Sequence, residues 1–249
     1  MKKLPLILGA FLIIASCSEP QSPRKMEGMF TYGIITLDTP VSYALLGSCS
    51  KGLGFVFDST SKYILVWPHV SSASAYFGDV ADTSKWQPAG TVTLNGSALP
   101  DSAGNTYQYL DAPVYLDGRT QVWNVQGSST VPAIKDSLLG PYDSVTIASP
   151  PNAANISESS GLTVTWNSGN TAETGMIIII PSAGGQGYSD EISGSTSSYT
   201  IPSASLSEIP KGRATISISR GVYKIGKASN GQSYIMVVWS NDTRDINLQ

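Results

Sequence analysis

The sequence predicts an all-β protein in which two β-sandwich-type domains follow a cleaved signal peptide. Helical periodicity is almost absent after the first 16 residues, and the body is rich in Ser, Thr, Gly and Tyr. Short apolar runs alternate there with turn residues, which is the pattern of sandwiches built from many short strands. About 230 residues remain after the signal, enough for one large or two ordinary domains.

The amino terminus has the pattern of a secretion signal. Lys2 and Lys3 precede an almost entirely apolar run from Leu4 to Ile14. The run is shorter than the roughly 20 residues that cross a bilayer, and its length is typical of a signal peptide. We therefore predict that residues 1–16 are removed.

The run ends in Ile14-Ala15-Ser16-Cys17, which resembles the lipobox of bacterial lipoproteins. The resemblance implies cleavage before Cys17, lipid on its thiol and a membrane as the partner of that lipid. The alternative is an ordinary cleaved signal with a chance cysteine. Residues 17–27 are polar and contain two prolines, so they are expected to form a flexible tether. Ser18 replaces the aspartate that retains enterobacterial lipoproteins in the inner membrane, which favours a cell-envelope location at the outer membrane.

The charge and the length of the apolar runs argue against a nucleic-acid partner and against a membrane span in the body. The formal net charge is -3, and the body has no basic run beyond Arg24-Lys25. Duplex binding needs a concentrated positive face, so no nucleic-acid partner is expected. The apolar run at Ile177 to Ile180 has only the length of a strand, so no membrane span is expected in the body.

The first predicted domain covers residues 28–143. Its strand candidates are Phe30 to Leu37, Val41 to Leu46, Leu53 to Phe57 and Tyr63 to Trp67. Asn95-Gly96 and Asp117-Gly118 separate further short apolar runs, and Asn230-Gly231 does the same near the carboxyl terminus. These dipeptides tolerate the positive φ angles of tight hairpin turns, so each predicts a hairpin.

The second predicted domain covers residues 144–249 and begins beside Ser149-Pro150-Pro151-Asn152, since consecutive prolines cannot continue a central strand. Two strands should alternate, with Leu162, Val164 and Trp166 inward in one and Ala214, Ile216 and Ile218 inward in the other. Met176 to Ile180 is apolar on both faces, which predicts either a central covered strand or an interdomain contact. The other strands expected in this domain are Val145 to Ile147, Ser198 to Ile201 and Tyr234 to Trp239.

About the last 105 residues resemble a fibronectin type III or other immunoglobulin-like domain. The resemblance rests on Leu162-Thr163-Val164-Thr165-Trp166 and on Ser198-Tyr199-Thr200-Ile201-Pro202, which leads into a Leu/Pro/Gly turn. The tyrosine expected at the start of the sixth strand is missing, and Ala214 stands about there. The mature chain also resembles β-rich envelope lipoproteins of Bacteroidetes-type bacteria. Neither resemblance implies an activity, because folds of this class host many roles.

No catalytic residue, metal site or cofactor is predicted. His69 is the only histidine, and a zinc site needs three or four suitable ligands. His69 is expected at a loop or rim, with the base of a Ser-His-Asp set as the alternative. If Cys17 carries lipid, Cys49 has no intrachain partner; it is expected to be a small buried hydrophobe rather than a thiol nucleophile.

Aromatic residues provide the candidate ligand-binding site. Trp67, Tyr76 and Trp86 lie in or beside the loop-like stretch from Pro68 to Pro88. Exposed tyrosine and tryptophan rings could stack against sugars, and loops on a rigid scaffold commonly carry function.

These observations predict a non-catalytic cell-envelope lipoprotein that acts as a binding or assembly module, with a glycan or an envelope protein as partner. One alternative is a carbohydrate-binding lipoprotein accessory to polysaccharide capture, which requires exposed aromatics. The other is a lipid-anchored hydrolase, which requires His69 beside a serine and a carboxylate.

Overall fold

The computed structural model describes residues 30–32, 35–37, 41–51, 69–79, 83–102, 105–141, 143–167, 174–193 and 195–249. The strands are β1 (Phe30–Tyr32), β2 (Ile35–Leu37), β3 (Tyr43–Lys51), β4 (His69–Phe77), β5 (Val92–Leu94), β6 (Ser97–Ala98), β7 (Asp101–Ser102), β8 (Thr106–Leu110), β9 (Thr120–Val125), β10 (Ile134–Leu139), β11 (Ile147–Ser149), β12 (Ala154–Ile156), β13 (Leu162–Trp166), β14 (Thr174–Pro181), β15 (Tyr188–Ser193), β16 (Ser198–Ile201), β17 (Gly212–Lys227) and β18 (Ser233–Leu248). One short helix, α1 (Ser203–Leu206), and two single 3₁₀ turns interrupt them. The predicted all-β sandwich class is confirmed.

The carboxyl-terminal half forms a sandwich, the second sandwich, with the strand order of a fibronectin type III domain. Strands β11, β13 and β16 make one sheet, and β15, β14, β17 and β18 lie in that order in the other. Leu162, Val164 and Trp166 point inward from β13, as predicted, and all three are buried. Ala214, Ile216 and Ile218 do the same from β17. Alternation placed these side chains correctly because residues 162–166 and 214–218 each bury mainly one face.

The hairpin of β17 and β18 is longer than this sandwich. Each strand has 16 residues, which corresponds to about 50 Å. The first part of β18, Tyr234 to Asp242, pairs in parallel with β3. Strands β3, β4, β8 and β7 therefore continue the same sheet, and β12, which pairs with the end of β18, is its ninth strand. The division at residues 143/144 stays a prediction, but strands from both sides of it share one hydrogen-bonded sheet.

The amino-terminal half also forms a sandwich, the first sandwich, which uses part of this hairpin. Strands β10, β9, β5 and β6 form a separate sheet, and its inward side chains pack on the nine-stranded sheet. Trp123 lies fully buried in this first core. Tyr234 and Met236 of β18 belong to the same core. The prediction that the strand from Tyr234 to Trp239 completes the second sandwich was therefore wrong, because β17 and β18 run on into the first.

Two of the three predicted hairpins are confirmed. Asn95 and Gly96 join β5 to β6 with φ angles of 51° and 84°. Asn230-Gly231 lies in the turn between β17 and β18. The hairpin at Asp117-Gly118 was wrong, because the residues before it form no strand. The buried amide of Gln121 instead accepts from the N–H of Tyr115 at 3.1 Å and donates to its carbonyl at 2.6 Å.

The predicted strands near the amino terminus have mixed outcomes. Phe30 to Leu37 divides into β1 and β2, which pair antiparallel with each other. Val41 to Leu46 lies mostly in β3. The candidates Leu53 to Phe57 and Tyr63 to Trp67 lie outside the described residues. In the described part of the chain, no helix has the length and apolar character needed to cross a membrane.

Candidate functional site

One face of β18 changes from apolar to polar and back to apolar along its length. Tyr234 and Met236 lie in the first core, and Ile246 and Leu248 lie in the second. The polar residues between them on this face are Ser240, Asp242 and Arg244. This polar layer lies between the two cores, and ligand sites occur preferentially at interfaces between domains.

Asp242 is the centre of the polar layer and is only 2% exposed. Its Oδ2 accepts the N–H of Ile147 at 2.8 Å, and its Oδ1 accepts the N–H of Thr243 and an N–H of Arg244, both at 2.9 Å. The Nη2 of Arg244 donates to the carbonyl of Ile147 at 2.9 Å. The ion pair therefore holds both backbone groups of Ile147, where the chain passes from one sandwich to the other.

Neighbouring side chains hold the rest of this crossing segment. The hydroxyl of Ser240 accepts the N–H of Val145 at 2.8 Å, and both groups are buried. The amide of Asn167 accepts the N–H of Thr146 at 2.5 Å and donates to the carbonyl of Ser144 at 2.9 Å. Three consecutive residues after Asp143 are thus fixed by side chains of β18 and of the segment that follows β13.

The start of the crossing segment is fixed from the first sandwich. The N–H of Gly140 donates to the carbonyl of Arg119 at 3.0 Å, and the N–H of Gly118 donates to the carbonyl of Pro141 at 3.1 Å. The described residues on either side of position 142 are therefore hydrogen-bonded, those before it to the first sandwich and those after it to β18 and Asn167.

Arg220 adds a second charge to the polar layer. It stands opposite Ser240 in the β17–β18 ladder and is only 4% exposed. Its Nη1 donates to the carbonyl of Asn167 at 3.1 Å. Burial lowers the pKa of Arg220, although an arginine still keeps its charge. A buried polar network of this kind fixes one relative arrangement of its members, because each alternative leaves a polar group without a partner.

A second polar contact joins the two sheets of the first sandwich. Asp136 of β10 accepts from the Nζ of Lys224 and from the hydroxyl of Tyr234, both at 2.6 Å. Burial alone raises the pKa of Asp136, but these hydrogen bonds outweigh it and hold that pKa below its usual range. Burial and the bond to Asp136 raise the pKa of Tyr234 to about 12.

Edge strands of the second sandwich meet through a tyrosine pair. The hydroxyl of Tyr188 on β15 lies 2.7 Å from that of Tyr199 on β16, and Tyr199 also donates to Asp190. Burial, followed by the bond to Asp190, raises the pKa of Tyr199. Since both rings pack against the second core, this seam closes the open side of the sandwich.

The predicted aromatic site is not an exposed stacking surface. Tyr76 and Trp86 are 3% and 5% exposed, and their ring centroids lie 4.8 Å apart at an angle of 44°. The indole N–H of Trp86 donates to the carbonyl of Asp79 at 2.8 Å. These two rings therefore do not provide the exposed faces that sugar stacking requires, because they pack against the outer side of the sheet. Their role in ligand binding stays a prediction. Trp67 lies outside the described residues.

The remaining chemical candidates are His69 and the two cysteines. His69 begins β4, and only its backbone is described, so the hydrolase alternative stays untested. Cys49 is a half-buried thiol on β3. Cys17 lies outside the described residues, so its lipidation stays a prediction. Where side chains are described, no three His, Cys, Asp or Glu side chains are grouped to hold a metal ion.

Sequence reasoning missed the polar layer. The sequence does contain a signal for it. Alternate positions of the final strand are apolar from Tyr234 to Val238, polar from Ser240 to Arg244, and apolar again at Ile246 and Leu248. A polar interruption on an otherwise apolar strand face indicates either exposure or a buried network. Only the fold shows that Asp242 is buried.

Two solved structures provide comparisons. The fibronectin(III)-like modules of Clostridium thermocellum CbhA match over 72% of this chain and 85% of theirs, with 13% identity and a TM-score of 0.24. A tetra-tandem repeat from the extending region of a large adhesion protein matches with 16% identity and a TM-score of 0.22. That match covers 79% of this chain, which spans about half (49%) of the repeat.

These TM-scores are too low to carry an argument about this protein. The assignment of the carboxyl-terminal sandwich therefore rests on its own strand order. No protein-family model and no curated protein matches the sequence.

Proposed function

We propose that this chain is a non-catalytic lipoprotein of the bacterial cell envelope, anchored through Cys17, in which two sandwiches act as one rigid binding or assembly module. The observation that carries the proposal is the β17–β18 hairpin, which supplies strands to both sandwiches. A rigid body on a flexible tether presents its surfaces in a fixed mutual arrangement, which reduces the entropy lost on binding.

The polar layer supports the rigidity. Two separate domains on a plain linker are expected to move relative to each other. Here the β18–β3 ladder crosses between the halves, and Asp242 and Ser240 hold the crossing backbone. Bending at this point would break ladder hydrogen bonds and leave buried polar groups without partners, at a cost of about 1–3 kcal/mol for each such group.

Spin-label distances test the rigid arrangement. Labels at Val122→Cys and Glu191→Cys, in residues 17–249 with Cys17→Ser and Cys49→Ser, report on one exposed site in each sandwich. We expect a single narrow distance distribution. A broad distribution comparable to that of two domains on a flexible linker would contradict the proposal.

Metabolic labelling tests the anchor. Cells that express the full chain are fed an alkyne fatty acid, and the protein is compared with its Cys17→Ser and Cys49→Ser variants. We expect label and membrane retention to disappear only in Cys17→Ser. Retention of label by that variant would disprove anchoring at this residue without affecting the rigidity experiment.

Site-specific photo-crosslinking in the envelope tests the binding or assembly role. The crosslinker replaces Leu139 or Ile180, which are exposed apolar positions in the first and second sandwich. We expect a discrete crosslinked species from at least one position. If neither position, nor a scan of the other exposed strand residues, gives a crosslink to another molecule, the binding role is wrong.

A further inference from the structure

Each sandwich has an edge strand whose backbone could accept a further strand. Strand β10 is the last strand of the four-stranded sheet in the first sandwich, and β15 is the last strand of the nine-stranded sheet in the second sandwich. The outward N–H and C=O groups of such a strand are a template for pairing with another chain. The groups that already occupy this backbone therefore decide whether a second copy of the chain can add its own edge strand.

The central outward residue of β10 is occupied from within the protein. The N–H of Gly140 donates to Arg119 in the continuation of the β10–β9 ladder, so even-numbered residues of β10 face β9 and Ser137 faces away from it. The N–H of Ser137 donates to Oδ1 of Asp136 at 2.7 Å. The carbonyl of Ser137 accepts from the Nζ of Lys224 at 3.3 Å. Both backbone groups that an added strand would need at Ser137 are thus taken.

The same arrangement occurs in β15. The N–H of Ser182 donates to Arg213 in the continuation of the β14–β17 ladder, so Ile177 and the other odd-numbered residues of β14 face β15. Because Ile177 pairs with Asp190, the next residue, Glu191, directs its N–H away from β14. This N–H donates to Oδ1 of Asp190 at 2.9 Å. The central outward N–H of β15 is therefore taken as well.

A tyrosine from the facing sheet holds each of the two aspartates in place. Tyr234 of β18 donates to Oδ2 of Asp136 at 2.6 Å, and Tyr199 of β16 donates to Oδ2 of Asp190. Both aspartates point into their sandwich, on the same side as their buried ladder partners. An inward-pointing charge on an edge strand is one of the features by which natural sheets avoid pairing with another chain. Each carboxylate thus binds the edge backbone with one oxygen and the facing sheet with the other.

We propose that Asp136 and Asp190 are edge locks, which prevent β10 and β15 from accepting an edge strand of a second copy of this chain. The same combination of aspartate, tyrosine and following N–H occurs on the edge strand of both sandwiches, although the two strands lie in different sheets. A second copy always carries matching edges, so it is the occupant that the locks exclude. The proposal goes beyond the binding or assembly role and does not depend on lipid at Cys17.

Sedimentation velocity tests the lock in β15 with a matched pair of variants. Asp190→Ala removes the acceptor, whereas Asp190→Asn keeps an oxygen that can accept the N–H of Glu191. Both variants remove the same negative charge, so they differ in hydrogen bonding and not in charge. They are compared with the parent, residues 17–249 with Cys17→Ser, across a concentration series in a reducing buffer. Amide exchange at Ser189, another outward residue of β15, reports whether association occurs at this edge.

We expect Asp190→Ala to form a dimer whose dissociation constant is at least about tenfold lower than that of the parent. Asp190→Asn should match the parent. In Asp190→Ala, the amide of Ser189 should exchange more slowly at high than at low protein concentration, because an added strand protects it. An unchanged dissociation constant in Asp190→Ala, equal association of Asp190→Asn, or an unprotected Ser189 in the dimer would overturn the proposal.

Tyr199→Phe decides the question if near-ultraviolet circular dichroism shows that Asp190→Ala is unfolded. This variant keeps the carboxylate but removes the donor that holds it, so the amide of Glu191 should exchange faster than in the parent and the dimer should become more stable. Exchange and association equal to those of the parent would contradict the lock. The corresponding variants Asp136→Ala, Asp136→Asn and Tyr234→Phe test β10 in the same way.

Discussion

Replacing Asp242 by alanine should destabilise the whole protein, because this carboxylate holds the crossing segment between the sandwiches. It is 2% exposed and accepts hydrogen bonds from Ile147, Thr243 and Arg244. Alanine removes all three acceptor contacts. It leaves the buried N–H of Ile147 without this acceptor and deprives Arg244 of its opposite charge.

The expected magnitude follows from these losses. An unsatisfied buried donor costs about 1–3 kcal/mol, and removal of one partner from a buried ion pair costs about 3–5 kcal/mol in all. The guanidinium of Arg244 keeps two backbone carbonyls and is 24% exposed, which limits the loss. We therefore expect Asp242→Ala to lower the free energy of unfolding by about 3–4 kcal/mol. At this chain length, that corresponds to roughly 6–16 °C in melting temperature.

Urea titration followed by tryptophan fluorescence measures this change, since Trp123 and Trp166 report on the first and second core. The shared hairpin should make both cores unfold together in the parent protein. Asp101→Ala, at an exposed carboxylate, is the matched control and should change the free energy by less than about 0.5 kcal/mol. A loss below about 1 kcal/mol for Asp242→Ala would refute the reasoning that the polar layer couples the sandwiches.

Three further predictions concern other contacts. Burial tends to raise the pKa of Asp136, but hydrogen bonds from Lys224 and Tyr234 hold this pKa below its usual range. The contribution of Asp136 to the free energy of unfolding is therefore complete above about pH 4 and is lost as the pH falls through the folded-state pKa. Asp136→Asn should therefore flatten the loss of stability that urea titrations measure as the pH falls below about 4, and an unchanged slope would contradict this. Gln121→Leu should cost about 2–4 kcal/mol in thermal or urea unfolding, because it removes the hydrogen-bond partner of both backbone groups of the half-buried Tyr115, whereas the exposed Gln87→Leu should be neutral. A Cβ at Gly221 would lie 2.6 Å from the Cα of Trp239 on the paired strand, whereas a Cβ at Gly47 would make ordinary contacts at 3.5 Å. Gly221→Ala should therefore lower the melting temperature strongly and Gly47→Ala should lower it little. Equal melting temperatures for the two variants would refute this account of the backbone packing.

Local patterns predicted much of the fold. Alternation identified the inward residues of β13 and β17, and Asn95-Gly96 gave a hairpin because both residues tolerate positive φ. These features depend on one strand and its nearest turn, so the sequence carries them directly. Asp117-Gly118 shows the limit: the dipeptide allows a turn, but the side chain of Gln121 in the following strand takes up the backbone groups that a preceding strand would need.

The burial of Tyr76 and Trp86 could not be predicted for a related reason. Aromatic residues near turn-rich sequence can be exposed or buried, and composition does not distinguish the two outcomes. Tyr76 and Trp86 are buried because they lie on the outer side of a sheet whose two faces are both covered.

By itself, the sequence determined the all-β class, the inward residues of β13 and β17 and the lipobox-like amino terminus, since each depends on contiguous residues. Only the tertiary structure decided that β18 pairs with β3 and that a charged residue near the carboxyl terminus, Asp242, holds the backbone at Ile147. Pairing between strands almost 200 residues apart depends on which edges the folded sandwiches leave available. No local periodicity encodes that choice.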